Sequence, residues 1–79
     1  MRRARSNYLV VAFGTTTDAL AMEQVARERG LLGRLAPIPR QLAAGCGLAW
    51  REPAANEAHL RQIIRECGIS YERMELMEL

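Results

Sequence analysis

Two segments of this chain end in the same way. Glu28-Arg29-Gly30-Leu31 and Glu66-Cys67-Gly68-Ile69 each close an amphipathic stretch with a glycine and pass directly to an apolar residue. A glycine placed there stops a helix by taking the left-handed conformation that other residues avoid. A strand-like run precedes each helix and another follows it. Two helix-containing halves of similar length restrict the chain to a small set of α+β arrangements.

In the first half, Tyr8-Leu9-Val10-Val11-Ala12-Phe13 is a continuous apolar run bounded by Gly14, as expected of a central strand. Thr15 then reads as a helix N-cap, with Asp18 three residues on to return a bond as in a capping box. Ala19, Met22, Val25 and Ala26 recur at helical spacing up to Gly30. Arg34 to Ile38 reads as a second strand, and two prolines near its end place it at a sheet edge. Pro39 can open a single helical turn, Arg40 to Ala44.

In the second half, Gly47 to Arg51 reads as a third strand. Asn56 is the expected cap of a second helix, whose buried stripe is Leu60, Ile63, Ile64 and Cys67. Ile69 to Leu76 reads as the last strand. The order β-α-β-β-α-β predicts a ferredoxin-like α+β sandwich, a four-stranded antiparallel sheet of order 4-1-3-2 with two helices on one face. Nothing in 79 residues is left to cover the other face, so a homodimer through it is a natural expectation.

Length and charge then exclude whole classes of function. Seventy-nine residues hold one core, so residues 7–79 form a single domain after a frayed basic start, 1–6. The net charge is only +2 and the arginines near the start lack interleaved aromatics, which argues against nucleic-acid binding. The longest apolar run falls far short of the roughly 20 residues of a membrane span. With no signal-peptide pattern after Arg5, the expected location is the cytoplasm. A reducing cytosol makes a disulfide between Cys46 and Cys67 an unfavourable reading.

The unusual local chemistry is at Ala44-Gly45-Cys46-Gly47-Leu48-Ala49-Trp50. A cysteine between two glycines can sit in a sharp turn and be approached closely. In the expected topology the Pro39–Gly47 connection lies at the same sheet edge as the first helix's N-terminus. Thr15, Thr16 and Thr17 and the cation Arg40 would then surround Cys46, and a helix N-terminus or a cation favours a thiolate over a thiol. From the residues alone, reaction and packing are equally open for Cys46.

Other candidates are weaker. Cys67 falls on the apolar stripe and reads as a small buried hydrophobe. The one histidine, His59, lies off that stripe and reads as solvated. No metal-ligand spacing, phosphate loop or nucleophile–histidine pair is present, so no cofactor, metal or catalytic set is indicated. Trp50 reads as a core or interface anchor.

Phe13-Gly14-Thr15-Thr16-Thr17-Asp18-Ala19-Leu20-Ala21-Met22-Glu23, Gly33 to Arg40 and Ala44 to Trp50 resemble, in order and spacing, a family of small bacterial proteins described as selenium/sulfur carrier-like. The likeness runs from about Tyr8 to Tyr71. The Pro-x-Pro-Arg lead-in and the Gly-Cys-Gly segment are its most specific parts. The resemblance implies a non-enzymatic role in sulfur or selenium handling, with Cys46 as carrier and donor and acceptor proteins as partners. Two other readings stand beside it. One is a small-ligand or protein-binding regulatory module in which Cys46 is structural. The other is a redox protein with Cys67 resolving Cys46.

Overall fold

The computed structural model describes residues 6–42 and 45–79. Its elements are β1 (Asn7–Ala12), α1 (Thr16–Arg29), β2 (Arg34–Pro37), β3 (Leu48–Pro53), a 3₁₀ turn (Ala54–Asn56), α2 (Glu57–Cys67) and β4 (Arg73–Glu78). The strands form one antiparallel sheet in the order β2-β3-β1-β4, which read from the β4 edge is 4-1-3-2.

The matching helix ends share one physical device. Gly30 and Gly68 are both left-handed, and their N–H groups donate to the Ala26 and Ile64 carbonyls. Leu31 and Ile69 then donate from one residue further on to the same two carbonyls. Carbonyls that α1 and α2 would otherwise leave bare are satisfied in this way.

Both helices cover the same face of the sheet. Leu9, Val11 and Phe13 of the β1 segment and Trp50 of β3 meet Ala19, Met22 and Ala26 of α1 and Leu60 and Ile64 of α2. Full burial of each large apolar side chain is worth about 1.5–3 kcal/mol, so this cluster dominates the fold's stability. The small side chains of α1 let it lie close to the sheet.

The opposite face is not bare, contrary to the sequence expectation. Residues after β2 turn back over it, and Leu42 is buried there against Val10, Ala12 and Ala49, with Ile38, Tyr8 and Met77 alongside. The turn is closed by the Leu42 N–H donating to the Pro39 carbonyl, 3.0 Å. This part of the face therefore needs no second copy of the chain to bury it. The expected helical turn from Arg40 to Ala44 is an irregular turn over 40–42, and Ala43 and Ala44 lie outside the described residues.

The ends of the sheet also differ from expectation. The strand paired with β1 is Arg73–Glu78, and Ile69–Glu72 connects α2 to the sheet, its last residue donating to the Ala12 carbonyl of β1 at 2.7 Å. Ser6, assigned to the basic start, exchanges backbone hydrogen bonds with Leu79 and prolongs this ladder. Residues 1–5 lie outside the described residues.

Glu52 holds the α1–β2 loop to the sheet. It is wholly buried on the helix side of β3, yet no cation faces it among the described residues. Its carboxylate accepts four hydrogen bonds, from Leu32 N–H (3.0 Å), Gly33 N–H (3.0 Å), Trp50 Nε1 (2.8 Å) and Asn56 Nδ2 (2.7 Å). Saturation by neutral donors is what allows a charge to be kept away from water. It also explains why Asn56, at the N-cap position of α2, makes no side-chain cap bond. Gly33 must be glycine, since a Cβ there would stand 1.9 Å from the Arg51 carbonyl oxygen.

Candidate functional site

Cys46 lies where three strands and the start of α1 converge. The loop between β2 and β3 is closed at its base by the Ile38 N–H donating to the Gly47 carbonyl, 2.9 Å. The Cys46 N–H reaches the Phe13 carbonyl, 3.4 Å, at the junction of β1 and α1. The expected placement of Cys46 beside the first helix's N-terminus thus follows from the backbone.

Each glycine flank has its own reason. A Cβ on Gly45 would stand 2.7 Å from the Gly14 carbonyl oxygen, so the two backbones meet directly. Gly47 has φ +75°, in the left-handed region, with open space around it. The Gly45 N–H donates to the Glu72 carboxylate, 3.3 Å, and the other Glu72 oxygen occupies the space a Gly14 side chain would need. Gly14, Gly45 and Glu72 form one interlocked contact that fixes the loop.

Cys46 is half-buried, packed against the helix-side core. Its thiol donates to the Leu48 carbonyl at 3.9 Å, a contact that needs the sulfur's proton.

The residues expected to support Cys46 are divided. Thr15 is the N-cap, and its hydroxyl accepts from the Asp18 N–H at 3.1 Å; the return bond of a capping box does not form. Thr16 and Thr17 are exposed in the first turn and, among the described residues, make no side-chain hydrogen bond. Arg40 is exposed and, among the described residues, has neither an ion pair nor a hydrogen bond. A charged side chain tied to this loop is that of Glu72, through the Gly45 N–H.

Cys67 departs from its reading. It is exposed rather than packed, and the Arg29 guanidinium donates to its sulfur at 3.7 Å. It is the last residue of α2, one turn beyond Ile63 and Ile64, where the core has ended. Arg29 also pairs with Glu66, 3.2 Å. A hydrogen bond from Gln62 and the Arg29 contact hold the Glu66 carboxyl below its ordinary range.

These contacts separate the two thiols. Cys46 is beside the N-terminus of α1, and Cys67 touches the residue at its C-terminus. At 1.5 Å per residue the 14-residue helix puts about 20 Å between those ends, far beyond disulfide reach. A resolving role for Cys67 does not fit this geometry.

A family model described as "Putative Se/S carrier protein-like" matches residues 8–74, from β1 into β4. The chain belongs to this family. No curated protein and no solved structure gives a significant match. The matched span includes the whole Cys46 loop and its contacts with Gly14 and Glu72. No helix among the described residues is long and apolar enough to cross a membrane.

Two structural residues escaped the sequence reading. Glu52 carried one signal, an acidic residue on the same strand parity as Leu48 and Trp50, where an apolar side chain belongs. Glu72 carried none, because its contact with Gly45 spans 27 positions. Two surface notches, of about 240 and 210 Å³, flank β2, and Cys46 lines neither.

Proposed function

We propose that the protein carries sulfane sulfur, or selenium in its place, on Cys46, and that its βαββαβ scaffold is a ferredoxin-like sandwich serving to present that residue. The observation that carries this reading is the pair of glycines flanking Cys46. Gly45 by its close contact with Gly14 and Gly47 by its left-handed backbone hold a half-buried cysteine at the β1–α1 junction, within the family's matched span.

Loading is a thiolate–sulfane exchange. The Cys46 thiolate attacks the terminal sulfur of a donor persulfide, R–S–SH; the Cys46 S–S bond forms, the donor S–S bond breaks, and the donor leaves as its thiolate. Unloading is the same step with the acceptor's nucleophile attacking the terminal sulfur and the Cys46 thiolate leaving. No net oxidant or reductant is consumed, and no general base is needed once the thiol proton has passed to solvent. Loading breaks the bond from the thiol to the Leu48 carbonyl, so it requires a small outward movement of the side chain. The partners are a persulfide-donating protein and an accepting one.

Incubation with a cysteine desulfurase and cysteine, read by intact mass, tests this. Wild type and Cys67→Ser gain one sulfur atom and Cys46→Ser does not. Label found on Cys67 alone, or on neither thiol, overturns the reading. A second reading is favoured by one observation: Cys46 packs on the core and donates to Leu48. In it the protein is a binding module and Cys46 is structural, and Cys46 then stays unalkylated in the native state and unloaded by the desulfurase.

A further inference from the structure

We propose that the notch formed by Tyr8, Arg34 and Arg51, on the sheet face away from the helices, binds a doubly charged oxyanion of the phosphoryl type. Arg34 of β2 and Arg51 of β3 are direct partners in the strand register, so both side chains rise from the same face. Residues paired in this way have Cβ atoms about 4.5–5.5 Å apart, and like charges so placed repel.

Among the described residues no carboxylate relieves that repulsion. Arg27, Arg29, Arg61 and Arg73 each have a carboxylate partner. Among the described residues Arg34 and Arg51 have none. Arg40 and Arg65 are also unpaired, but they stand apart at the exposed surface. The carboxylate on the same face, Glu75, is separated from Arg51 by the Val10 position of β1 and is bound to Arg73 at 2.7 Å. Glu52 faces the other side of β3 with all four bonds taken.

Arg51 is held ready for a ligand. It is half-buried, its guanidinium lies 4.6 Å from the centroid of the Tyr8 ring, and its buried Nε–H has no acceptor. A buried donor left unpaired is costly, and a small rotation of the Arg51 side chain toward the notch lets an oxyanion supply the missing acceptor. The notch holds about 210 Å³, with Leu32, Gly33 and Pro53 completing its wall beside Tyr8, Arg34 and Arg51. That volume suits a phosphoryl group with a short substituent. Two planar guanidinium forks match the charge and the paired oxygens of a dianion.

The site is independent of Cys46. Arg51 lies three residues along β3 from Leu48, about 10 Å, on the opposite face of the sheet. The two proposals can therefore fail separately.

The test is titration of the ¹⁵N-labelled full chain with inorganic phosphate and, separately, glycerol 3-phosphate, against sodium chloride at matched ionic strength. Saturable shifts are expected at the Arg51 Nε–H and at the Leu32 and Gly33 amides. Equal binding of both probes assigns the site to the free ion, and tighter binding of the ester assigns it to an esterified phosphoryl group. Arg34→Gln weakens binding at least about tenfold, or 1.4 kcal/mol, while Arg40→Gln leaves it unchanged. Arg34 is exposed, so its replacement does not depend on refolding the core, as replacement of Arg51 does. Shifts that follow chloride equally, never saturate, or persist in Arg34→Gln overturn the proposal.

Discussion

Replacing Glu52 tests the reasoning about the fold most directly, because one side chain satisfies four donors. In Glu52→Gln, the amide oxygen still accepts two bonds while its NH₂ faces the other two donors. If the NH₂ takes the position that meets Leu32 and Asn56, the Asn56 side chain can flip and accept. Leu32 N–H is then the one of the four donors without a partner, and because it is only part-buried the cost is expected at the low end, about 1 kcal/mol. Glu52→Leu removes every acceptor and strands Leu32, Gly33 and the Trp50 indole together. Three such penalties are not additive, but their combination of about 4–6 kcal/mol is comparable to the whole stability of a small domain. Urea unfolding followed by circular dichroism is therefore expected to give a clearly lowered midpoint for the glutamine variant and no cooperative transition for the leucine variant. For a domain of this size, 1 kcal/mol corresponds to about 4–8 °C in melting temperature, so the glutamine effect is well within measurement. Trp50→Phe in both backgrounds closes the cycle, since coupling is expected only while the indole N–H has the carboxylate to meet. Glu52→Leu folding within 1 kcal/mol of wild type would refute the argument, as it would mean these donors find water or other partners at little cost.

The other predictions concern the loops and the thiols. Gly33→Ala forces a Cβ against the Arg51 carbonyl and is expected to prevent folding of the β2 edge, seen as loss of amide protection in hydrogen exchange over 31–37. Gly47→Ala meets no atom but must hold φ +75°, so a loss of only about 1–2 kcal/mol is expected in urea melts. Timed alkylation of native protein with peptide mapping is expected to modify Cys67 before Cys46, in keeping with their exposures. The Glu66 carboxyl is lowered on folding, so its contribution to stability is present above the unfolded carboxylate pKa and is lost as pH falls through the folded value. Glu66→Gln should make the acid limb of urea midpoint against pH slightly shallower, and an unchanged slope would show that the Gln62 and Arg29 contacts do not persist in solution.

Local signals carried much of the fold. Thr15, Gly30 and Gly68 mark helix limits because capping depends on the few residues around each end, while Asn56 holds the expected N-cap position with its side chain turned to Glu52 instead. The apolar run ending at Phe13 marks the central strand because burial on both faces demands it. The reading of Cys67 failed because helical spacing identifies a stripe but not where the core beneath it stops. The last strand was placed too early for a related reason: its limits belong to β1, its partner in the ladder. Leu42 over the second face was invisible because the path of a loop is set by what it can bury.

For the candidate site, the sequence by itself determined which residue is unusual: a cysteine flanked by glycines has no ordinary place in a strand or helix. Tertiary structure decided why the glycines are there and which charge comes near. Gly45 meets Gly14 and Glu72 from distant parts of the chain, and Arg40, in the same loop, makes no bond among the described residues. The same division holds at Glu52 and at the Arg34–Arg51 notch. Composition and spacing fix the chemistry available at each position, while long-range pairing of strands and loops fixes which of those groups stand within bonding distance.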